Sequence, residues 1–238
     1  MSFAPMSVTM PAIMAAGPRP QPSTAFEEAL WGSSHRYVAG VDEVGRGPVA
    51  GPVYAGAVIL DPDARPSWLP ELRDSKELLP NDRQRLAEAV RAGALAWGLG
   101  WATVAEIDAW GISAANKRAM IRAIEALRVR PEYVLIDGPL TVDHPLPQRA
   151  IVDGDALCTT IAAASIVAKV ARDEVMCHLG HLYPEYNFAV HKGYATRDHL
   201  ERIQRYGLCN QHRRSWAAVQ RRAEARLSND EEGGSDAP

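Results

Sequence analysis

The sequence predicts an α/β or α+β core with a helical C-terminal subdomain. Strands dominate its first half, helices are interspersed among them, and the last stretch reads as helix. Apolar residues make up 47% and charged residues 23% of the 238, enough for one large domain with a sizeable core. The expected divisions are a disordered leader at 1–24, a core at 25–190, a helical subdomain at 191–226 and a disordered acidic tail at 227–238.

The leader is rich in Met, Ala and Pro. Its first basic residue is Arg19, and Pro5 and Pro11 break the apolar stretch, which argues against an export signal and for a disordered leader or a misassigned start. The organised part is expected to begin near Tyr37. Tyr37 to Val41 reads as a buried strand and Pro52 to Leu60 as a second. The glycine- and proline-rich Gly45–Gly51 stretch between them suggests a hairpin with a wide or bulged turn. Asn81 is the expected N-cap of a helix reaching about Arg91, and Ala94 to Trp101 the third strand. From Ser113 to Leu127 the residues Ala115, Ala119, Ile121, Ile124 and Leu127 recur at helical spacing, with Arg118 and Arg122 on another face. Short strands follow at Tyr133–Ile136 and Arg149–Val152. A long Ala-rich helix at Thr160–Leu182 leads to two more, at Arg197–Arg205 and Ser215–Arg226.

Bulk properties exclude little. The formal net charge of −3 gives no hint of nucleic-acid binding, so any attraction for phosphate must be local. Cys158, Cys177 and Cys209 match neither a disulfide framework nor a paired-cysteine zinc site, which makes a reducing, cytoplasmic setting the expectation. No apolar run approaches the roughly 18–20 residues that cross a bilayer. His191, His199 and His212 lack tight zinc spacing, and surface or supporting roles are expected of them.

The informative acids are far apart in sequence. Asp42 and Glu43 close the first strand, Asp137 closes the strand after Pro131, and Asp155 follows Val152. Adjacent strands could bring all four to one rim, where their mutual repulsion makes sense beside a hard cation. Two such ions about 3.5–4 Å apart serve in-line phosphoryl displacement. Neighbouring strand residues point to opposite faces, so the strand is expected to end or bulge at Asp42-Glu43. Local spacing alone does not separate a metal site from ordinary turn acids, and Asp137-Gly138 is a common turn dipeptide.

Longer motifs go further. Tyr37-Val38-Ala39-Gly40-Val41-Asp42-Glu43-Val44-Gly45-Arg46-Gly47-Pro48 is followed by Asp74-Ser75-Lys76, Leu135-Ile136-Asp137-Gly138 and Gly154-Asp155. Then come Ala162 to Asp173, His191-Lys192-Gly193-Tyr194 and His212-Arg213-Arg214-Ser215. In this order they resemble type 2 ribonuclease H (ribonuclease HII), from about Tyr37 to Arg222. The resemblance implies a ribonuclease H-like mixed sheet flanked by helices, with a helical C-terminal subdomain. It implies that Asp42, Glu43, Asp137 and Asp155 are catalytic carboxylates holding Mg²⁺ or Mn²⁺. Gly45-Arg46-Gly47 would sense the ribose 2′-hydroxyl, Tyr194 would stack on the next, deoxy sugar, and Arg46 and Lys76 would face phosphates. Asp173, in the long helix, would support the metal site or pair with a nearby base.

The implied activity is hydrolysis of the phosphodiester 5′ of a ribonucleotide, in RNA–DNA hybrids or DNA with embedded ribonucleotides. It would leave 3′-hydroxyl and 5′-phosphate ends and serve ribonucleotide removal and replication. A monomer is expected, and no clamp-binding motif is visible at the C-terminus. Asp153 stands where the family commonly has lysine, and Asp155 is taken as the ligand because it precedes the Ala-rich helix. Arg213-Arg214 and Arg221-Arg222 fit either solvated helix charges or a phosphate-tracking face. The competing readings are a DNA nuclease or resolvase of the same fold, or a non-catalytic hybrid-binding module.

Overall fold

In the computed structural model, residues 21–33, 35–217 and 219 are described. The expected leader and acidic tail, most of the helix at Ser215–Arg226, and Arg221 and Arg222 lie outside these residues. Five strands form one mixed sheet: β1 (Val38–Val44), β2 (Val53–Ile59), β3 (Ala96–Ala102), β4 (Tyr133–Asp137) and β5 (Gln148–Ile151), in the order β3-β2-β1-β4-β5. β1 pairs antiparallel with β2 and parallel with β4, and β4 pairs parallel with β5. The helices are α1 (Ala25–Trp31), α2 (Pro80–Gly93), α3 (Val104–Trp110), α4 (Ile112–Glu125), α5 (Gly154–Leu157), α6 (Thr159–Leu182), α7 (Phe188–His191) and α8 (Arg197–Tyr206).

The chain resolves into two compact units. The first holds residues up to Val44, Tyr54–Trp101 and Lys117–Val170; the second holds Gly45–Val53, Ala102–Asn116 and the chain from Ala171 on. In the first unit Val58, Leu86, Val90, Ile166 and Val167 share one apolar cluster. Phe26, Leu30, Val38, Leu135, Ile151 and Ile161 form another. Burying each such side chain contributes about 1.5–3 kcal/mol, which is what commits β1, β4 and α6 to one core. Gly40 lets the start of α6 approach β1 closely, since a Cβ there would collide with the Thr160 backbone. In the second unit Ala50, Met176, Leu179, Tyr186 and Phe188 cluster.

Two expectations need correction, and one helix was not foreseen. Order begins before Tyr37, at α1, whose Phe26 and Leu30 are buried. Helix α2 starts at Pro80 rather than being capped by Asn81, because proline's fixed φ suits the first helical position and its missing N–H is no loss there. Helix α3 went unread although Thr103 and Glu106 form a reciprocal capping box. No helix among the described residues is long and apolar enough to cross a membrane.

Candidate active site

The first unit gathers the acids. β1 and β4 run in parallel register up to Val41↔Ile136, so the next residues along, Asp42 and Asp137, end up side by side on the same pleat face. The strand neither ends nor bulges there, as had been expected: β1 stays in register with β2 through Asp42↔Gly56, Glu43↔Ala55 and Val44↔Tyr54. Alternation therefore sends Asp42 into the interior, where it is 5% exposed, and leaves Glu43 half-buried on the other face. Asp137 Oδ1 accepts from the Gly154 N–H at 2.7 Å. That bond ties the β4 end to α5, the single helical turn that carries Asp155.

Electrostatics join all four. Burial first, then Asp137, Glu43 and Asp155, push the Asp42 carboxyl well above its usual range. Burial and Glu43 raise Asp137, while the backbone N–H groups of Gly154 and Asp155 hold it down. Burial, Asp137 and Asp74 raise Asp155. Carboxylates gathered closely enough to raise one another's pKa are the chemistry a hard divalent cation seeks. As the side chains stand, no three His, Cys, Asp or Glu among the described residues form a ready ligand set. Asp42 spends Oδ1 on the Glu43 N–H at 2.6 Å, and Asp137 spends Oδ1 on Gly154.

Lys76 adds a cation. Its Nζ lies 3.8 Å from both Asp74 Oδ1 and Asp155 Oδ2, and the Lys76 N–H donates to Asp74 Oδ1 at 2.9 Å. Burial opposes its charge, but Asp74, Asp155, Asp42 and Asp137 together raise its pKa. Ser165 on α6 hydrogen-bonds Asp42 and sits 3.0 Å from the buried Ser75 hydroxyl. In the sequence Ser75 and Ser165 stand within the motifs Asp74-Ser75-Lys76 and Ala162 to Asp173, which by themselves imply no role for either hydroxyl. The apolar neighbours Ala164 and Ile166 signal that the Ser165 hydroxyl is buried and needs a partner, whereas Ser75, between Asp74 and Lys76, carries no such local signal.

The N-terminal segment contributes a residue that sequence reading passed over. Glu27 on α1 is fully buried, and its Oε1 accepts from the Thr160 N–H at 2.7 Å and lies 3.1 Å from Cys158 Sγ. It caps the first turn of α6 from a distant part of the chain. Burial pushes its carboxyl up, and Oε2 has no partner among the described residues. Ser23 bridges Cys158, adding Ser23 N–H to Leu157 O at 3.1 Å and Thr159 N–H to Ser23 O at 3.2 Å. The segment that follows Asp155 is thereby fastened from outside.

In the second unit the glycine loop rests on two buried arginines. Arg172 donates to the carbonyls of Pro52, Lys192 and Ala50 at 3.0, 3.0 and 3.3 Å. Arg213 donates to those of Gly51, Arg46 and Gly45 at 2.9, 2.9 and 2.6 Å. Arg213 is thus a scaffold under the loop rather than a solvated charge, and burial with Arg172 nearby lowers its pKa to about 9. Gly45 holds φ +92°, and a Cβ there would strike the Arg172 guanidinium. Arg46 and Gly47 stay exposed. A Cβ on Gly47 would sit 3.9 Å from Tyr194 Cε1, so loop and ring are neighbours, and Tyr194 is 45% exposed.

The histidines are not surface residues. His191, His199 and His212 are all buried and stack among Tyr186 and Phe188. Asp173 lies half-buried on the part of α6 belonging to the second unit. Arg214 is exposed, with its N–H on Asp108 Oδ2 at 3.0 Å. All three cysteines are free.

Solved structures share this fold. Ribonuclease H2 from Pyrococcus horikoshii OT3 is 26% identical, with a TM-score of 0.70 over 81% of this chain and 100% of that one. Bst-RNase HIII in complex with Mn²⁺ is 18% identical, with a TM-score of 0.63 over 87% of this chain and 76% of that one. The fold is that of the type 2 and type 3 ribonucleases H. A family model described as Ribonuclease HII matches residues 39–219. Curated ribonucleases HII are similar: that of Nitrosococcus oceani is 53% identical over 79% of this chain and 92% of its own length. That of Desulfitobacterium hafniense is 48% identical over 82% and 74%. The chain belongs to the ribonuclease HII family, endoribonucleases that cleave the RNA of RNA–DNA hybrids in a metal-dependent reaction.

Proposed function

We propose that the chain hydrolyses the phosphodiester 5′ of a ribonucleotide, in RNA–DNA hybrids and in DNA carrying embedded ribonucleotides. It leaves 3′-hydroxyl and 5′-phosphate ends and so serves ribonucleotide removal from DNA in the cytoplasm, acting as a monomer. One observation carries this reading: the in-register pairing that sets Asp42 beside Asp137, with Asp137 fastening the turn that bears Asp155.

Asp42, Asp137 and Asp155, with Glu43, are the residues that would hold Mg²⁺ or Mn²⁺; the all-oxygen donor set, and the raised pKa values of the three aspartates, fit a hard dication. When bound, the metal supplies Lewis-acid stabilisation of charge on the scissile phosphate. Lys76 tempers the negative charge around Asp155 and offers a cation to the phosphate backbone. Asp173 keeps a supporting role.

The Gly45-Arg46-Gly47 backbone, exposed at Arg46 and Gly47, reads the 2′-hydroxyl, the only group that separates RNA from DNA at one sugar. Glycine permits the close approach, and Arg172 and Arg213 occupy the loop carbonyls so that its other face is presented in one shape. The Tyr194 ring packs on the following sugar and disfavours a second hydroxyl there. Cleavage mapping on a duplex with one embedded ribonucleotide tests the proposal. A single cut 5′ of that ribonucleotide with Mg²⁺, and none with chelator, is expected. Equal cutting of all-DNA duplex would sink it.

A further inference from the structure

The three buried histidines of the second unit have hydrogen-bond partners that determine where every ring proton sits. The Tyr194 carbonyl can only accept, so His199 Nδ1, 2.8 Å away, carries a proton. The Cys209 backbone N–H can only donate, so His212 Nδ1, 3.0 Å away, is bare. His212 therefore bears its proton on Nε2. His199 Nε2, 3.1 Å from it, is the bare nitrogen of its ring, so the contact between the two imidazoles is itself a proper hydrogen bond.

The chain of donation runs one way, from Cys209 N–H to His212, from His212 to His199, and from His199 to the Tyr194 carbonyl. Adding a proton to either ring would set two N–H groups against each other or against a donor. His191 is fixed the same way. Its Nε2 donates to Tyr186 O at 2.6 Å, its Nδ1 accepts from the Gly193 N–H at 3.2 Å, and its ring stacks on His199 with centroids 4.1 Å apart.

All of this ends on one residue. The Tyr194 carbonyl takes a second donor, the Thr196 N–H at 2.8 Å, which fills its two lone pairs, and the Tyr194 N–H donates to His191 O at 3.0 Å. The ring itself stays exposed while its backbone is held on both sides. Burial keeps the imidazoles neutral, with pKa values near about 3 for His199 and about 4 for His212.

We propose that His199 and His212 are positioning residues for Tyr194: a one-way relay of neutral imidazoles sets the backbone that aims the sugar-contacting ring. The inference rests on the reading of Tyr194 as the ring that packs on the sugar. Neither histidine touches substrate; both act through the tyrosine.

The first measurement needs no variant. Nitrogen-15 spectra of the histidine rings of the full chain at pH 7.5 should show His199 protonated on Nδ1 and His212 on Nε2. The opposite tautomer or an imidazolium at either ring overturns the proposal. The second compares His199→Asn, whose amide N–H stands where Nδ1–H stood, with His199→Gln, which moves it one bond outward. On a duplex with one embedded ribonucleotide, His199→Gln should raise KM about tenfold with a smaller change in kcat, since one displaced contact is worth roughly that factor. His199→Asn should restore KM to within about twofold, a margin that corresponds to a retained contact. In a Tyr194→Ala background, His199→Gln should add nothing. If Tyr194→Ala alone leaves the kinetics unchanged, the sugar-packing reading fails and the relay's purpose with it. If Tyr194→Ala is costly but His199→Gln is harmless, or equally costly in both backgrounds, the relay proposal alone is overturned.

Discussion

Arg213 Nη2 donates to the carbonyl of Gly45 at 2.6 Å, across 168 positions of sequence. The same guanidinium reaches Arg46 and Gly51, and it does so without a carboxylate among these contacts. A motif near the C-terminus thus shapes a loop near the N-terminus. The planar fork matters more than the charge, because one ammonium has no fixed geometry for three carbonyls.

Arg213→Lys should therefore destabilise the protein by about 3 kcal/mol, the order expected when buried carbonyls lose a charged partner. It should also weaken discrimination between RNA-containing and all-DNA duplexes. Thermal unfolding and paired cleavage assays check both, and unchanged discrimination would contradict the scaffold role.

Gly45→Ala combines a left-handed backbone with a collision against Arg172. Stability should fall by about 1–3 kcal/mol from the backbone alone, and KM for an embedded ribonucleotide should rise. A variant with wild-type stability and KM would show that the loop tolerates a side chain.

Asp42→Asn should separate stability from activity. Without divalent metal the buried Asp42 is repelled by Asp137, Glu43 and Asp155, so the neutral amide should raise the metal-free unfolding temperature. Activity should drop on the order of 10³-fold, several kcal/mol of charge stabilisation. Calorimetry in chelator alongside a cleavage assay reads both; a lower melting temperature for the variant argues against the repulsion.

Mg²⁺ or Mn²⁺ should stabilise the folded chain, by about 2.7 kcal/mol at a hundredfold excess over Kd through mass action. Chelator should reverse this, and Asp42→Asn should blunt it. A melting temperature indifferent to either ion would remove the carboxylate group as a cation site.

The buried histidines give a pH dependence of definite sign. His199 and His212 titrate near about 3 and about 4 when folded, against 6.5 for an unperturbed ring. Between those values the unfolded chain binds more protons, so their contribution is present above pH 6.5 and lost as pH falls toward 4. His191, Arg214, Asp198 and Cys209 surround the pair, and the raised carboxylates Asp42, Asp137, Asp155 and Glu27 pull in the opposite direction. The informative quantity is thus a difference. Urea midpoints at pH 7.5 and pH 5 should fall less in His212→Gln than in the parent, and parallel declines would rule the histidines out.

Much of the sheet was legible because β1, β2 and β4 are dense apolar runs bounded by turn residues. The strand-end acids could be grouped only through the ordered motifs, since local spacing does not separate them from ordinary turn acids. What escaped were features that depend on partners remote in sequence. Nothing local in Val170-Ala171-Arg172-Asp173 says that Arg172 is buried under loop carbonyls. His199 and His212 looked like ordinary polar residues of a helix and a loop, and only the packing of Phe188 and Tyr186 around them removes them from water. The missed α3 is different: its Thr103-x-x-Glu106 signature is local and was there to be found. The bulge foreseen at Asp42-Glu43 does not occur, because both residues and Val44 keep their pairing with β2.

Glu27 sets a practical boundary for anyone shortening this chain. A version begun at Tyr37, where the first strand motif opens, would discard the carboxyl group that closes the top turn of α6 and the Ser23 bridge beside it. Cys158, now shut away, would then face solvent as a newly accessible thiol.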